Sequence, residues 1–176
     1  MNNLEVFRTI KTFIFDVDGV LTNNEVIILE NGRLIRRMNI RDSFAIKTAL
    51  RKGYRVAIIT GGKSSGVKEN LKNLGITDLY TGVDSKVEAF EDLVMMHDLD
   101  PGTVLYMGDD IPDYEVMSLV GLACCPADAA IEIRSISTYA SSLKGGEGCA
   151  RDVIEKVLTL NGDWPYRETE GFEDVS

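Results

Sequence analysis

The sequence predicts a three-layer α/β fold, with a parallel sheet covered by helices on both faces. Two observations carry this. Apolar runs of strand length at 12–15, 55–59, 103–107 and 122–125 alternate with segments of helical periodicity. These runs lack the in-out polar alternation of half-exposed strands, as expected where both faces are buried. A third observation says where function would sit. Acidic residues and glycines gather directly after the runs, where open α/β sheets bind their ligands.

Each element has its own signal. The first strand is 12–15. Residues 26–29 and 34–38 are short apolar segments around Glu30, Asn31, Gly32 and Arg33, so a small β-hairpin insert is expected over about 22–40. Asp42 is placed to cap a helix in which Phe44, Ala45, Ala49 and Leu50 recur at helical spacing and which Gly53 ends. The strand 55–59 follows, then a helix over 64–74 stopped by Gly75 and a short strand at Leu79 and Tyr80. Ser85 caps a helix carrying Val87, Phe90, Leu93 and Val94 that ends near Asp98. After the strand 103–107 come a helix over 112–120 with Pro112 at its start, the strand 122–125 and a short helix over 127–133. A last strand at 138–140 and a final helix over 148–160 complete the pattern. The tail 161–176 holds Trp164 and five acidic residues. This βαβα order gives a Rossmann-like sheet. With no repeat, low-complexity tract or linker, residues 1–176 read as one domain.

Composition narrows the function. The chain has 176 residues, 28 acidic and 19 basic, for a net charge of -9. That balance argues against nucleic-acid and anionic-membrane partners. No stretch approaches the length of a membrane span, and Asn2, Asn3 and Glu5 interrupt any secretory signal. Cys124, Cys125 and Cys149 have neither zinc-ligand nor disulfide-framework spacing, so buried free thiols in a reducing compartment, the cytoplasm, are expected.

The chemistry begins at Asp16 and Asp18, one residue apart after the first strand. Residues i and i+2 of a strand share a face, so both carboxylates can reach one small volume, where they repel unless a cation or proton is shared. The second strand delivers Thr60, Gly61 and Gly62. A helix start after the third delivers Lys86, and the fourth delivers Gly108, Asp109 and Asp110, with Asp113 three residues on. Asp109 beside Asp16 offers hard oxygen ligands for Mg²⁺. Thr60 and the Gly61 amide can donate to phosphate oxygens, and Lys86 adds a point charge at a helix start already suited to anions. Metal, nucleophile, cradle and counter-charge together describe phosphoryl transfer. Taken singly, each has a plain structural reading: an acidic turn, a strand-to-helix turn, a solvated lysine. A receiver-type signalling domain also joins carboxylates, a Thr and a Lys on a parallel sheet, but its phosphoacceptor ends the third strand and its Thr the fourth; here the order differs.

These motifs resemble the haloacid dehalogenase superfamily over residues 13 to 113. The resemblance implies that Asp16 is a nucleophile forming an aspartyl-phosphate and that Asp18 is the acid and base. It implies that Asp16, the Asp18 carbonyl and Asp109 bind Mg²⁺, and that Thr60, Gly61 and Lys86 hold the phosphoryl group. Asp110 or Asp113 would bind metal waters or orient Lys86.

No cap-sized insert follows Asp18, Thr60 or Lys86. The pattern looks like the capless 3-deoxy-D-manno-octulosonate 8-phosphate phosphatases, with further matches at Arg41-Asp42-Ser43, at 59–64 and at 145–151. That resemblance implies a homotetramer in which one subunit's hairpin helps close a neighbour's site, and a place in lipopolysaccharide sugar biosynthesis. Arg41, Lys63 and Arg151 are candidates for the carboxylate or sugar end of the substrate. Phosphatases of nine-carbon keto acid 9-phosphates are the alternative; they tend to carry Glu after Thr-Gly, where this chain has Gly62. A catalytically dead regulatory module is a further alternative, disfavoured because Asp16, Asp18, Thr60, Lys86 and Asp109 are all present.

Overall fold

The computed structural model describes residues 3–165 and places six strands in one parallel sheet. The strands are β1 (Thr12–Phe15), β4 (Arg55–Thr60), β5 (Asp78–Thr81), β6 (Val104–Met107), β7 (Leu122–Cys125) and β8 (Tyr139–Ala140). Their order is β5-β4-β1-β6-β7-β8, and every neighbouring pair is parallel. β1 therefore lies where the winding reverses, with Phe13 in register with Val56 on one side and Leu105 on the other. In such sheets the crevice beyond that strand's carboxyl end is the natural ligand site.

The three layers follow from strand alternation. Phe13 and Phe15 enter one buried cluster, with Ala45, Ile46, Leu71, Val153, Ile154 and Val157. That is the face covered by α1 (Asn3–Thr9), α2 (Ile40–Arg51), α3 (Ser65–Asn73) and α7 (Cys149–Leu160). Ile14 points the other way, into a cluster with Phe90, Leu93, Val116 and Ile133. These belong to α4 (Lys86–His97), α5 (Tyr114–Met117) and α6 (Ile131–Ile136). The hairpin, β2 (Ile27–Ile28) with β3 (Leu34–Ile35), forms a separate two-stranded antiparallel pair.

Several expectations change. Asp42 does not cap its own helix: Asn39 does, its side chain accepting from the Arg41 and Asp42 amides. Asp42 lies inside α2, buried, and its Oδ1 accepts the Arg151 N–H at 2.7 Å. Asp42 thus serves the first turn of α7, whose own cap position, Gly148, has no side chain to offer. The helix expected over 112–120 is a 3₁₀ turn, Ile111–Asp113, followed by the four residues of α5. The helix expected over 127–133 starts later, at Ile131. The hairpin strands are two residues each, and α1 was not foreseen. Trp164 folds back: its N–H donates to the Leu158 carbonyl and its ring meets Phe44 edge-on at 6.1 Å. Residues 166–176 of the expected tail lie outside the described residues. No helix among the described residues is long and apolar enough to cross a membrane.

Candidate active site

The chain leaves β1 at Asp16 and makes one turn, Val17–Leu21, broken by non-helical backbone at Asp18 and Gly19. Gly19 has φ 89°, and a Cβ there would lie 1.9 Å from an Asp109 carboxylate oxygen. Glycine is therefore what lets Asp109, arriving from β6, close against the turn after β1. Gly108 does the same for Asp113, whose Cγ would be 2.3 Å from a Cβ at that position. Behind the turn, the Gly146 N–H donates to the Val20 carbonyl at 2.9 Å, and a Cβ on Gly145 would meet the Gly19 carbonyl at 2.0 Å.

Asp16, Asp109 and Asp113 converge, each offering a carboxylate oxygen within 4.8 Å of the others, and all three are buried. Asp16 accepts the Val17 N–H on Oδ1 at 2.7 Å and pairs through Oδ2 with Lys86 Nζ at 2.8 Å. Lys86, at the first position of α4, also donates to Asp113 Oδ1 at 2.6 Å. The same oxygen accepts the Tyr106 hydroxyl at 2.7 Å, and Asp113 Oδ2 accepts the Asp109 N–H at 3.2 Å. Asp113 already accepts from three protein donors, one more than Asp16, which leaves Asp16 and Asp109 as the carboxylates with more room for a cation.

Electrostatics agree. Burial first, then the nearby Asp113, lifts the Asp16 carboxyl to about 6 despite Lys86 and the Val17 amide. Burial, then Asp16 and Asp113, lifts Asp109 to about 7, with Lys86 and an Asn24 hydrogen bond pulling the other way. Burial alone would lower Lys86, but Asp16 and Asp113 carry it above its ordinary value. One ammonium does not neutralise three buried carboxylates. The donor set, all hard oxygen and short of positive charge, fits Mg²⁺.

The remaining candidates divide. Thr60 is buried at the end of β4, its hydroxyl accepting the Gly62 N–H at 3.1 Å. Gly61 and Gly62 follow it, and a Cβ on Gly62 would stand 3.3 Å from an Asp18 carboxylate oxygen. Lys63 lays its stem against Gly82 after β5. Asp110 is exposed and caps the 3₁₀ turn through the Ile111 N–H. Arg41 and Arg151 line a different groove of about 870 Å³ along α7. There Arg151 pairs with Glu155 at 2.9 Å and lies over the Trp164 ring. Asp18 carries a partner that sequence reasoning missed, Arg36 of the hairpin, with Nε to Oδ1 at 2.5 Å and Nη2 to Oδ2 at 3.1 Å. Tyr106 and Asn24 were also missed. Only Tyr106 left a trace, as a hydroxyl within an apolar strand, which needs a buried partner.

A parallel sheet switching at an aspartate-bearing β1, with a lysine and a second acidic loop beside it, defines a haloacid dehalogenase-type hydrolase. No family model matches the chain. It is 39% identical over 155 residues to the 3-deoxy-D-manno-octulosonate 8-phosphate phosphatase KdsC of Escherichia coli strain K12, covering 88% of this chain and 82% of that protein. The chain belongs to this phosphatase family. Its fold matches the crystal structure of the Yersinia pestis 3-deoxy-D-manno-octulosonate 8-phosphate phosphatase with TM-score 0.89 and 31% identity, over 92% of this chain and 88% of that one. It also matches the Moraxella catarrhalis phosphatase, crystallised with magnesium, phosphate and KDO, with TM-score 0.86 and 28% identity over 90% and 91% of the two chains.

Proposed function

We propose that the protein is a magnesium-dependent phosphatase that hydrolyses 3-deoxy-D-manno-octulosonate 8-phosphate to the free sugar acid and phosphate, in lipopolysaccharide sugar biosynthesis. The observation that carries this is the Asp16 carboxylate, buried at the end of β1 with Val17 N–H on one oxygen and Lys86 on the other. It is aimed by a donor at each oxygen, as a nucleophile must be.

Asp16 attacks phosphorus and the bond to the sugar oxygen breaks, while Asp18 gives that oxygen its proton. Asp18 then takes a proton from water, the water oxygen attacks phosphorus, and the bond to Asp16 breaks to release phosphate. Thr60 and the Gly61 amide hold the phosphoryl oxygens, and Lys86 balances their charge. Asp113 acts through Lys86, fixing its ammonium, and Asp110 keeps the loop's turn. Magnesium, held by Asp16, Asp109 and the Asp18 carbonyl, supplies positive charge to the phosphoryl group when bound. Lys63 is assigned to the sugar-acid end. Arg41 and Arg151, in their separate groove, are assigned no substrate contact within the same subunit.

The reading extends to the whole protein: one hydrolase domain, working in the cytoplasm as a homotetramer with sites shared between subunits, without nucleic-acid or membrane partners. Three buried free thiols support a reducing compartment. The exposed apolar hairpin supports the assembly, since a free two-stranded hairpin is marginal in water.

The test is a comparison of kcat/KM for the eight-carbon and nine-carbon keto acid phosphates, with and without Mg²⁺. A preference for the eight-carbon substrate, and a fall of about four orders of magnitude in kcat for Asp16→Asn, are expected. A nine-carbon preference overturns the substrate, and full activity of Asp16→Asn overturns the nucleophile.

A further inference from the structure

We propose that Arg36, at the inner end of the hairpin, is a positioning residue for the active site of its own subunit: its guanidinium fork sets the Asp18 carboxylate at the angle from which it hands a proton to the leaving sugar oxygen. The inference rests on the phosphatase reading and adds a residue to it.

Of the pair, Asp18 is the member that needs holding. Its side chain is 42% exposed, and it springs from the non-helical part of the turn after β1. Among the described residues, no hydrogen bond other than those from Arg36 reaches its carboxylate. Left to water, such a side chain samples several rotamers. Arg36 is the fixed member, its side chain only 10% exposed. The space left where it meets Asp18, Val17, Thr60, Gly62 and Val67 is about 10 Å³, scarcely the room of one water. A guanidinium so enclosed keeps one orientation and imposes it on its partner.

The fork suits the task. Nε meets Oδ1 at 2.5 Å and Nη2 meets Oδ2 at 3.1 Å, so the plane of the carboxylate is fixed as well as its distance. Two N–H groups use one lone pair on each oxygen. A carboxylate offers about four such sites, so each oxygen keeps one for a proton. The exposure left to Asp18 shows that this remaining side is open. Lys86, the other buried cation of the site, is spent on Asp16 and Asp113 and does not hold Asp18. Orientation is what Arg36 contributes, and a misplaced catalytic group can cost about a hundredfold in rate. The hairpin need not move for this. Ile27 and Ile28 face outward, where a neighbouring subunit would meet them, while Arg36, directly after β3, faces in.

The test compares two phosphate esters with Mg²⁺ in the wild type and in Arg36→Met, which keeps the packing of the stem and removes the fork. The eight-carbon keto acid 8-phosphate has an alkoxide leaving group that needs a proton, whereas 4-nitrophenol leaves without one. Release of the alcohol or phenol is followed in single turnovers, so only the first P–O cleavage is read. Arg36→Met is expected to slow cleavage of the sugar phosphate about tenfold or more and of the aryl ester less than about threefold. In an Asp18→Asn background, Arg36→Met should leave the ratio of the two rates unchanged, because Arg36 acts through Asp18. An equal fall for both esters marks a general structural loss and overturns the proposal, as does a full effect of Arg36→Met on the ratio without Asp18. Inhibition by inorganic phosphate weakened about tenfold would make Arg36 a phosphate ligand and overturns it too. Should Arg36→Met fail to fold, Arg36→Gln carries the test, and a wild-type ratio in it overturns the fork. A wild type inactive on both esters removes the phosphatase reading itself, whereas an active wild type with an equal fall in Arg36→Met removes only the role of Arg36.

Discussion

A single carboxylate, Asp113, organises the floor of the site by accepting from Lys86, Tyr106 and the Asp109 amide at once. Tyr106 is fully buried in β6, so its hydroxyl has no water to fall back on. Tyr106→Phe is expected to destabilise the fold by about 2 kcal/mol, read as a lower urea midpoint, because Asp113 loses a donor in a buried setting. KM for the phosphorylated substrate is expected to rise with it, since Asp113, which fixes Lys86, is then itself held by one donor fewer. At this scale the sequence is uneven. Asp16, Asp18, Asp109 and Lys86 were legible because each stands at a strand end or helix start in a recurring order. Tyr106 was not, because a tyrosine among Val104, Leu105 and Met107 reads as core. Its partner is identified only when β6 and the following 3₁₀ turn fold onto each other.

Helix α7 depends on a residue over a hundred positions earlier. Asp42 supplies the acceptor that Gly148 cannot, yet its Oδ2 has no partner among the described residues. Burial, the leading cause, lifts the Asp42 carboxyl from its ordinary 3.8 to about 6, against the pull of Arg151 and the Gly148 amide. The folded state therefore holds this proton more tightly than the unfolded chain does. The stability it contributes is full below about pH 4 and is lost as pH rises through 6, on the order of 3 kcal/mol. Asp42→Asn keeps an acceptor without the charge, so its unfolding free energy should exceed the wild type's at pH 8 and converge with it near pH 4. Asp42→Ala should cost about 1–2 kcal/mol at pH 4, where only the lost cap remains. Element existence was largely legible from periodicity. Caps were not, since Asn39 and Asp42 are both good capping residues and only the packing of α2 against α7 says which helix each serves.

Over the whole molecule, strand alternation and right-handed crossovers were enough to read the parallel sheet and its two helical faces, because these are rules about order along the chain. The hairpin is different. Its apolar residues announce burial, yet they stay exposed among the described residues. If subunits assemble through it, Ile28→Glu should convert a tetramer into smaller species by size-exclusion chromatography with light scattering, while near-ultraviolet circular dichroism stays that of the folded protein. A wild type that elutes as a monomer contradicts the assembly. The contact of Gly145 with the Gly19 carbonyl has a consequence in time rather than in space. The ribosome makes β1 and its aspartates first, but the wall behind their turn is residues 145 and 146, and the lysine and second acidic loop also come later. A nascent chain halted before residue 145 can have formed most of the sheet and still lack the surface that backs the turn at Gly19 and Val20. The turn after β1 thus gains its backing only when residues 145 and 146 have been made.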